Sequence, residues 1–215
     1  MRIIVATCDS YSDALPPFLE LFRKFWPDCP YPLSVVSDSS GRPENWCPTI
    51  IKIAEESRDE PTLIFQEDLW LTHPVETELV EEGLALLLSD SNIGCCRLFP
   101  CPGSPPGEGN FGLADRQEPY HVSIQASIWR PRFLKSVAKL ATGGRAADFE
   151  LEGGVEATRT LPDQVMAFRR GLWPWPVQYL CAAIRNGRWI PEARELAELH
   201  AIPVDWSRRP FIGGG

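Results

Sequence analysis

The segment Thr62-Leu63-Ile64-Phe65-Gln66-Glu67-Asp68 limits the fold more than any other stretch of the chain. Thr62 to Phe65 are β-branched or apolar without polar alternation, the pattern of a strand buried on both faces at the centre of a parallel sheet. The run then ends in two adjacent carboxylates, which must face a crevice or solvent. In an open α/β sheet the crevice outside the carboxyl ends of the strands is where ligands bind. Two neighbouring acids repel each other, and Mg²⁺ or Mn²⁺ bridging carboxylate and phosphate oxygens would neutralise both. Glu67 and Asp68 are therefore candidate metal ligands; the plainer alternative is a solvated acid pair with no role.

The residues before this strand read as two βα units. Ile3-Ile4-Val5-Ala6 is an apolar strand that ends at Thr7-Cys8-Asp9-Ser10. A helix is expected next, with Ser12 or Asp13 as its cap and Pro16-Pro17 in its first turn. Leu15, Phe18, Leu19, Phe22, Phe25 and Trp26 recur at spacings of three and four, an apolar stripe facing a sheet. Leu33 to Ser37 reads as a second buried strand, ending at Asp38, and Trp46, Ile50, Ile53 and Ala54 mark a second helix. The order is βαβαβ, with crossovers that must be right-handed.

Parallel strands place their carboxyl ends on one side, so Asp9, Asp38 and the Glu67/Asp68 pair can converge there. Thr7, Asp9 and Asp38 are candidates to bind the base or ribose of a nucleotide, with its diphosphate held through a metal at Glu67 and Asp68. Equally, Asp9 and Asp38 could simply cap or turn the chain. GxxxxGK[ST] does not occur, which removes the main support for a P-loop.

Downstream, a helix is expected from about Val75 to Leu88, a strand from Ile93 to Phe99, and a Pro- and Gly-rich loop from Pro100 to Pro119 that is either a lid or an insertion. Tyr120 to Ile124 reads as a strand. A helix starts at Pro131 and closes at Gly143-Gly144. Gln178 to Ile184 reads as a strand that returns through an Asn186-Gly187 hairpin turn, before a last helix from Pro191 to about His200. In Asp148-Phe149-Glu150-Leu151-Glu152 the acids are candidate bases. Asp148 and Glu150 face one way if the segment is extended and diverge by about 200° if it is helical.

The remaining signals bound the partners. A chain of 215 residues, 44% apolar, suits one medium domain with its own core. A net charge of -8 without a Lys/Arg cluster argues against a nucleic-acid backbone or an anionic membrane as the principal partner. No apolar run reaches the roughly 18 residues of a membrane span. The odd count of seven cysteines, and an opening directly on a strand, give the expectation of a reduced, cytoplasmic protein. Cys95, Cys96 and Cys101 lack a second Cys/His pair at zinc spacing. His73 and His121 sit in no nucleophile motif and read as structural or surface residues. Trp173-Pro174-Trp175-Pro176 suits either sugar stacking or packing of a crossover.

With these segments in order, the chain resembles GT-A-type glycosyltransferase-like proteins of bacterial and phage surface polysaccharide synthesis. The resemblance rests on Ile4-Val5-Ala6-Thr7-Cys8-Asp9, Leu63-Ile64-Phe65-Gln66-Glu67-Asp68, Tyr120 to Trp129, Asp148-Phe149-Glu150 and Asn186-Gly187-Arg188-Trp189, in that order. It implies one GT-A-like, Rossmann-like α/β domain over residues 1–215, with a mostly parallel sheet flanked by helices. Residues 1–99 would form its nucleotide-binding half and 100–215 its acceptor and catalytic half. It also implies transfer of a sugar from a nucleotide-sugar donor to a glycan or other hydroxyl acceptor, inverting and assisted by Mn²⁺ or Mg²⁺. The acid element that binds metal and diphosphate falls on Glu67-Asp68, and the base on Glu150, with Asp148 as second choice. Two positions depart from the family: Leu69 and Trp70 follow where a second Asp is expected, and Ala146-Ala147 stand where a Trp is expected. The alternative is a GT-A-like module that binds a nucleotide or glycan without turnover.

Overall fold

The computed structural model describes residues 1–38, 45–100 and 103–213. The chain opens as β1 (Arg2–Cys8), α1 (Leu15–Phe25), β2 (Leu33–Asp38), α2 (Trp46–Ser57) and β3 (Thr62–Gln66), so the βαβαβ order holds. It continues through α3 (Thr77–Ser89), β4 (Ile93–Arg97), β5 (Phe111–Leu113), β6 (Ser127–Trp129) and α4 (Pro131–Leu140). Next come α5 (Ala146–Asp148), a π-helical turn (Phe149–Gly154) and α6 (Val155–Thr160), continuous with one another. The rest comprises β7 (Gln164–Phe168), β8 (Ile184–Arg185), β9 (Arg188–Trp189) and α7 (Pro191–Leu199).

The main sheet has the order β2-β1-β3-β6-β4-β7-β5. β1, β2 and β3 pair in parallel, as do β4 and β7, while β6 runs against both β3 and β4 and β5 runs against β7. The fold is thus α/β, a Rossmann-like domain whose mostly parallel sheet is flanked by helices. β6 joins β3 to β4, so the second half of the chain completes a sheet that the first half begins.

Both faces of the sheet are covered, which accounts for the unbroken apolar runs. Ile3, Val5, Leu63 and Phe65 point into one core with Phe18 and Leu21 of α1 and Ala193 of α7. Ile4, Ala6 and Ile64 point into the other, with Ile50 and Ile53 of α2 and Phe133 of α4. Successive strand residues alternate between faces, and here each face has helices to bury them. Cys95 and Cys96 are buried in β4, one in each core. Cys101 lies outside the described residues. Among the described residues, no helix is long and apolar enough to cross a membrane.

Several local expectations are corrected. β2 is an edge strand rather than a buried one: Ser34, Val35 and Ser37 are exposed because, among the described residues, no strand pairs with its outer side. Tyr120 to Ile124 is not a strand. The amides of Ile124 and Ala126 donate to the Glu150 carboxylate and the Tyr179 hydroxyl, so they are unavailable to a sheet ladder. The strand that fills this place is β6. Within the Pro/Gly-rich loop, Phe111 to Leu113 forms edge strand β5, and Arg169 anchors the loop through the carbonyls of Glu108 (2.9 Å) and Pro105 (2.6 Å). Its partner strand β7 was not anticipated.

Helix α1 has Ala14 as N-cap with no side-chain cap, since Ser12 donates to the Asp9 carbonyl and Asp13 pairs with Arg209. The fourth strand stops at Arg97, and Gln178 to Ile184 contributes only an isolated bridge at Tyr179 and the start of β8. The Asn186-Gly187 turn does join β8 to β9, with φ of 52° and 71° as a type I′ hairpin requires.

The π-helical turn packs directly on α4, and Gly153 is the point of closest approach: a Cβ there would lie 2.4 Å from the Val137 carbonyl oxygen. The obstacle is backbone, so the helices must move apart to admit a methyl group. Gly153→Ala should cost about 1–3 kcal/mol, read in denaturant titration as a lower midpoint at unchanged slope. A midpoint equal to wild type would contradict this packing.

Candidate functional site

A cleft of about 270 Å³ opens at the carboxyl ends of β1, β2 and β3. Thr7, Asp38, Glu67 and Asp68 all line it, so the fold brings together four of the residues singled out from sequence. Asp9 is exposed on the adjoining 3₁₀ turn Asp9–Tyr11 and is not part of the lining.

The parallel register of β1 and β3 pairs Ala6 with Gln66, which sets Thr7 beside Glu67 immediately past the ladder. The Glu67 side chain turns inward at 6% exposure, where its Oε1 accepts the Thr7 hydroxyl at 3.1 Å and the Cys8 amide at 3.3 Å. Burial, then the neighbouring Asp68 charge, pushes the Glu67 carboxyl up to about 8. Burial pushes Asp68 up to about 7, against the opposing pull of Arg209. At neutral pH the pair therefore carries less than its full double charge, and a bound cation would compete with protons for it.

One wall of the cleft includes Ser10 and Tyr11 and is strapped by the C-terminal segment. Arg209 donates from Nε to Asp13 Oδ2 at 2.8 Å and from Nη2 to the Ser10 carbonyl at 2.7 Å, with its guanidinium 5.0 Å from the Tyr11 ring. The opposite wall carries Trp46 and Arg145. Trp46 meets Phe149 edge to face at 5.3 Å, which leaves an aromatic surface on the cleft where a base could stack.

The segment from Asp148 to Glu152 is helical, so Asp148 and Glu150 diverge. Asp148, 4% exposed, receives the Arg145 amide and Nε at 2.9 Å on one oxygen and Nη2 at 2.8 Å on the other. Arg145 holds the Asp148 carboxyl below its ordinary range. The carboxylate is thus engaged in anchoring the start of this helix. Glu150 accepts the Ser123 hydroxyl at 2.7 Å and the Ile124 amide at 2.9 Å on Oε1. It lines a second cavity, of about 250 Å³, rather than the cleft.

The histidines differ: His73 is exposed with its ring edge against Trp173, whereas His121 is buried and lines the second cavity.

Among the described residues no three His, Cys, Asp or Glu side chains cluster as a metal site. Two carboxylates do suit Mg²⁺ or Mn²⁺ brought in with a substrate, since Mg²⁺ commonly takes one or two carboxylates and completes its shell with phosphate oxygens and water. Glu67 and Asp68 would hold such an ion.

Sequence reasoning did not single out Tyr11, Trp46, Arg145 or Arg209 for the site. Trp46 carried a usable signal, because the residue that opens a helix after a parallel strand lies at the carboxyl edge of the sheet. Arg209 carried none, since its place depends on a contact across almost the whole chain.

No protein-family model matches the chain, and no curated protein matches it. Solved structures that match the chain include two examples. A197 from STIV is 12% identical, with a TM-score of 0.44 over 79% of this chain and 82% of that one. Apo UDP-glucose pyrophosphorylase is 10% identical, with a TM-score of 0.48 over 93% of this chain and 81% of that one.

The raised Glu67 carboxyl makes stability depend on pH in a defined direction. The folded chain holds this proton more tightly than the unfolded chain, so the stabilisation is complete below pH about 4.5 and is lost as the pH rises through about 8. Glu67→Gln keeps an oxygen for Thr7 and Cys8 but never ionises. In EDTA, the melting temperature of the variant relative to wild type should rise between pH 5.5 and 8.5, by about 2–4 °C for each kcal/mol relieved. A constant difference across that range would show that Glu67 ionises normally.

Proposed function

We propose that the cleft binds a nucleotide-sugar donor and that the protein is a glycosyltransferase acting on a hydroxyl acceptor with inversion. The observation that carries this reading is the meeting of Thr7, Asp38, Glu67 and Asp68 in one cleft at the carboxyl ends of parallel strands, the place where open α/β sheets bind ligands. The nucleoside lies along β1 and β2, with Asp38 and Thr7 offered to its base and ribose and Asp9 on the flanking turn. Trp46 supplies a stacking face. The diphosphate lies toward Glu67 and Asp68, where Mg²⁺ or Mn²⁺, when bound, would act as Lewis acid for the leaving group.

Glu150 is the proposed base. Its Oε1 is fixed by the Ser123 hydroxyl and the Ile124 amide, which aims the carboxylate. The acceptor oxygen forms a bond to the anomeric carbon as the bond from that carbon to the diphosphate oxygen breaks. The electron pair leaves with the diphosphate, and the acceptor proton passes to Glu150.

A second reading, binding of a nucleotide or glycan without turnover, draws support from two features. The acid pair lacks a third protein ligand among the described residues, and Glu150 faces a cavity apart from the cleft.

Melting curves with UDP, GDP, CDP and dTDP, each with and without Mn²⁺, test the donor site. One nucleotide should stabilise the protein by about 2.7 kcal/mol at 100 times Kd, and Asp68→Asn should remove the part that needs Mn²⁺. Silence from all four nucleotides would end the donor reading. Glu150→Gln should keep the nucleotide shift and lose at least about 100-fold in turnover. Binding without turnover by the wild type would instead favour the non-catalytic module, and wild-type turnover in Glu150→Gln would remove Glu150 as base.

A further inference from the structure

The second cavity lies between the segment 115–122 and the helical stretch 150–159. His121 forms part of its wall at 5% exposure, with Nδ1 3.0 Å from the Asp115 carbonyl oxygen. A carbonyl can only accept, so Nδ1 carries the proton and Nε2 is left as an acceptor. Burial also pushes the His121 imidazole down to about 4, which keeps it neutral at physiological pH. Glu150 presents a second acceptor: both of its hydrogen bonds fall on Oε1, and Oε2 has no hydrogen-bond partner among the described residues. The nearby cations are already engaged. Arg159 pairs with Glu156 at 3.2 Å, and Arg116 donates to the carbonyls of Thr158 and Leu161.

Such a cavity selects its occupant. The wall carries Glu118 and Glu150 beside Arg116 and Arg159, so its formal charges balance and favour neither an anion nor a cation. What remains is a neutral molecule rich in hydroxyl donors. The position relative to the cleft is equally specific. Ala146 and Ala147 line the cleft, and they stand four and three residues before Glu150 on the same helical stretch. Residues at these spacings are neighbours on a helix surface, so the cavity wall at Glu150 and the cleft wall at Ala146 and Ala147 stand about one helical turn apart.

We infer that the second cavity is the acceptor subsite, and that it takes a neutral sugar unit whose hydroxyls donate to Glu150 Oε2 and His121 Nε2. This rests on the glycosyltransferase reading. His121 is then a specificity residue: it accepts one hydroxyl while Glu150 takes the proton of the hydroxyl that reacts.

Saturation-transfer NMR on the full chain with UDP and Mn²⁺ tests the inference, using methyl glucoside, galactoside, mannoside and N-acetylglucosaminide, with methyl glucuronide and glucosamine as charged comparators. At least one neutral glycoside should receive saturation more strongly than either charged sugar. Val155 stands at the cavity wall, more than half exposed, so Val155→Trp narrows the cavity without entering the core. It should weaken the neutral glycoside's signal at least fivefold. No glycoside signal from the wild type, a preference for a charged sugar, or a signal unchanged in Val155→Trp would overturn the inference. If the nucleotide shift is present and the glycoside signal absent, the subsite fails while the donor site stands; the reverse result removes the donor reading and leaves a sugar cavity.

Discussion

Glu67 is the residue on which the cleft depends. A carboxylate at the end of a buried strand cannot ionise freely, because the low-dielectric surroundings penalise its charge. Two donors from β1, the Thr7 hydroxyl and the Cys8 amide, meet Glu67 Oε1 and offset part of that penalty. They reach it only because β1 and β3 pair in parallel with Ala6 opposite Gln66. A one-residue slip would turn Thr7 to the other face and bury the carboxylate unsatisfied. The register that completes the sheet core therefore also fixes the chemistry of the cleft.

The same dependence explains which parts of the molecule were legible from sequence. β1, α1 and β3 declare themselves because each has a face, or two, that must be buried, and burial leaves periodicity. β2 was misread as buried because Leu33, Val35 and Val36 make an apolar run without revealing how many neighbours the strand has. β5 and β6 have three residues each, too few for a period to show. The segment 120–124 looked like a strand because it is rich in aromatic and β-branched residues, yet the Ile124 amide is claimed by Glu150 and the Ala126 amide just beyond it by Tyr179, side chains distant in sequence. Local pattern does not encode such partners.

The site divides along similar lines. Thr7, Asp38, Glu67 and Asp68 were legible because a parallel sheet puts all its carboxyl ends on one edge, so strand order alone predicts their meeting. The roles of Asp148 and Glu150 turned on whether residues 148–152 are extended or helical, and the alternation of acid and apolar residues fits both. The helix prevails because its start is anchored: Asp148 receives the Arg145 amide and guanidinium together. That anchoring engages Asp148 and turns Glu150 away from it.

Placing Glu150 in its own cavity changes what a transferase built on this chain requires. A base inside the donor cleft would share a small space with Glu67 and Asp68, and a third carboxylate there would raise all three pKa values further. Instead, Glu150 lines a cavity of its own, while Ala146 and Ala147, about one turn earlier on the same helical stretch, line the cleft. Glu67 and Asp68 keep their raised values at the cleft, while Glu150, held on one oxygen by Ser123 and Ile124, faces a cavity walled by a neutral histidine and cations engaged elsewhere.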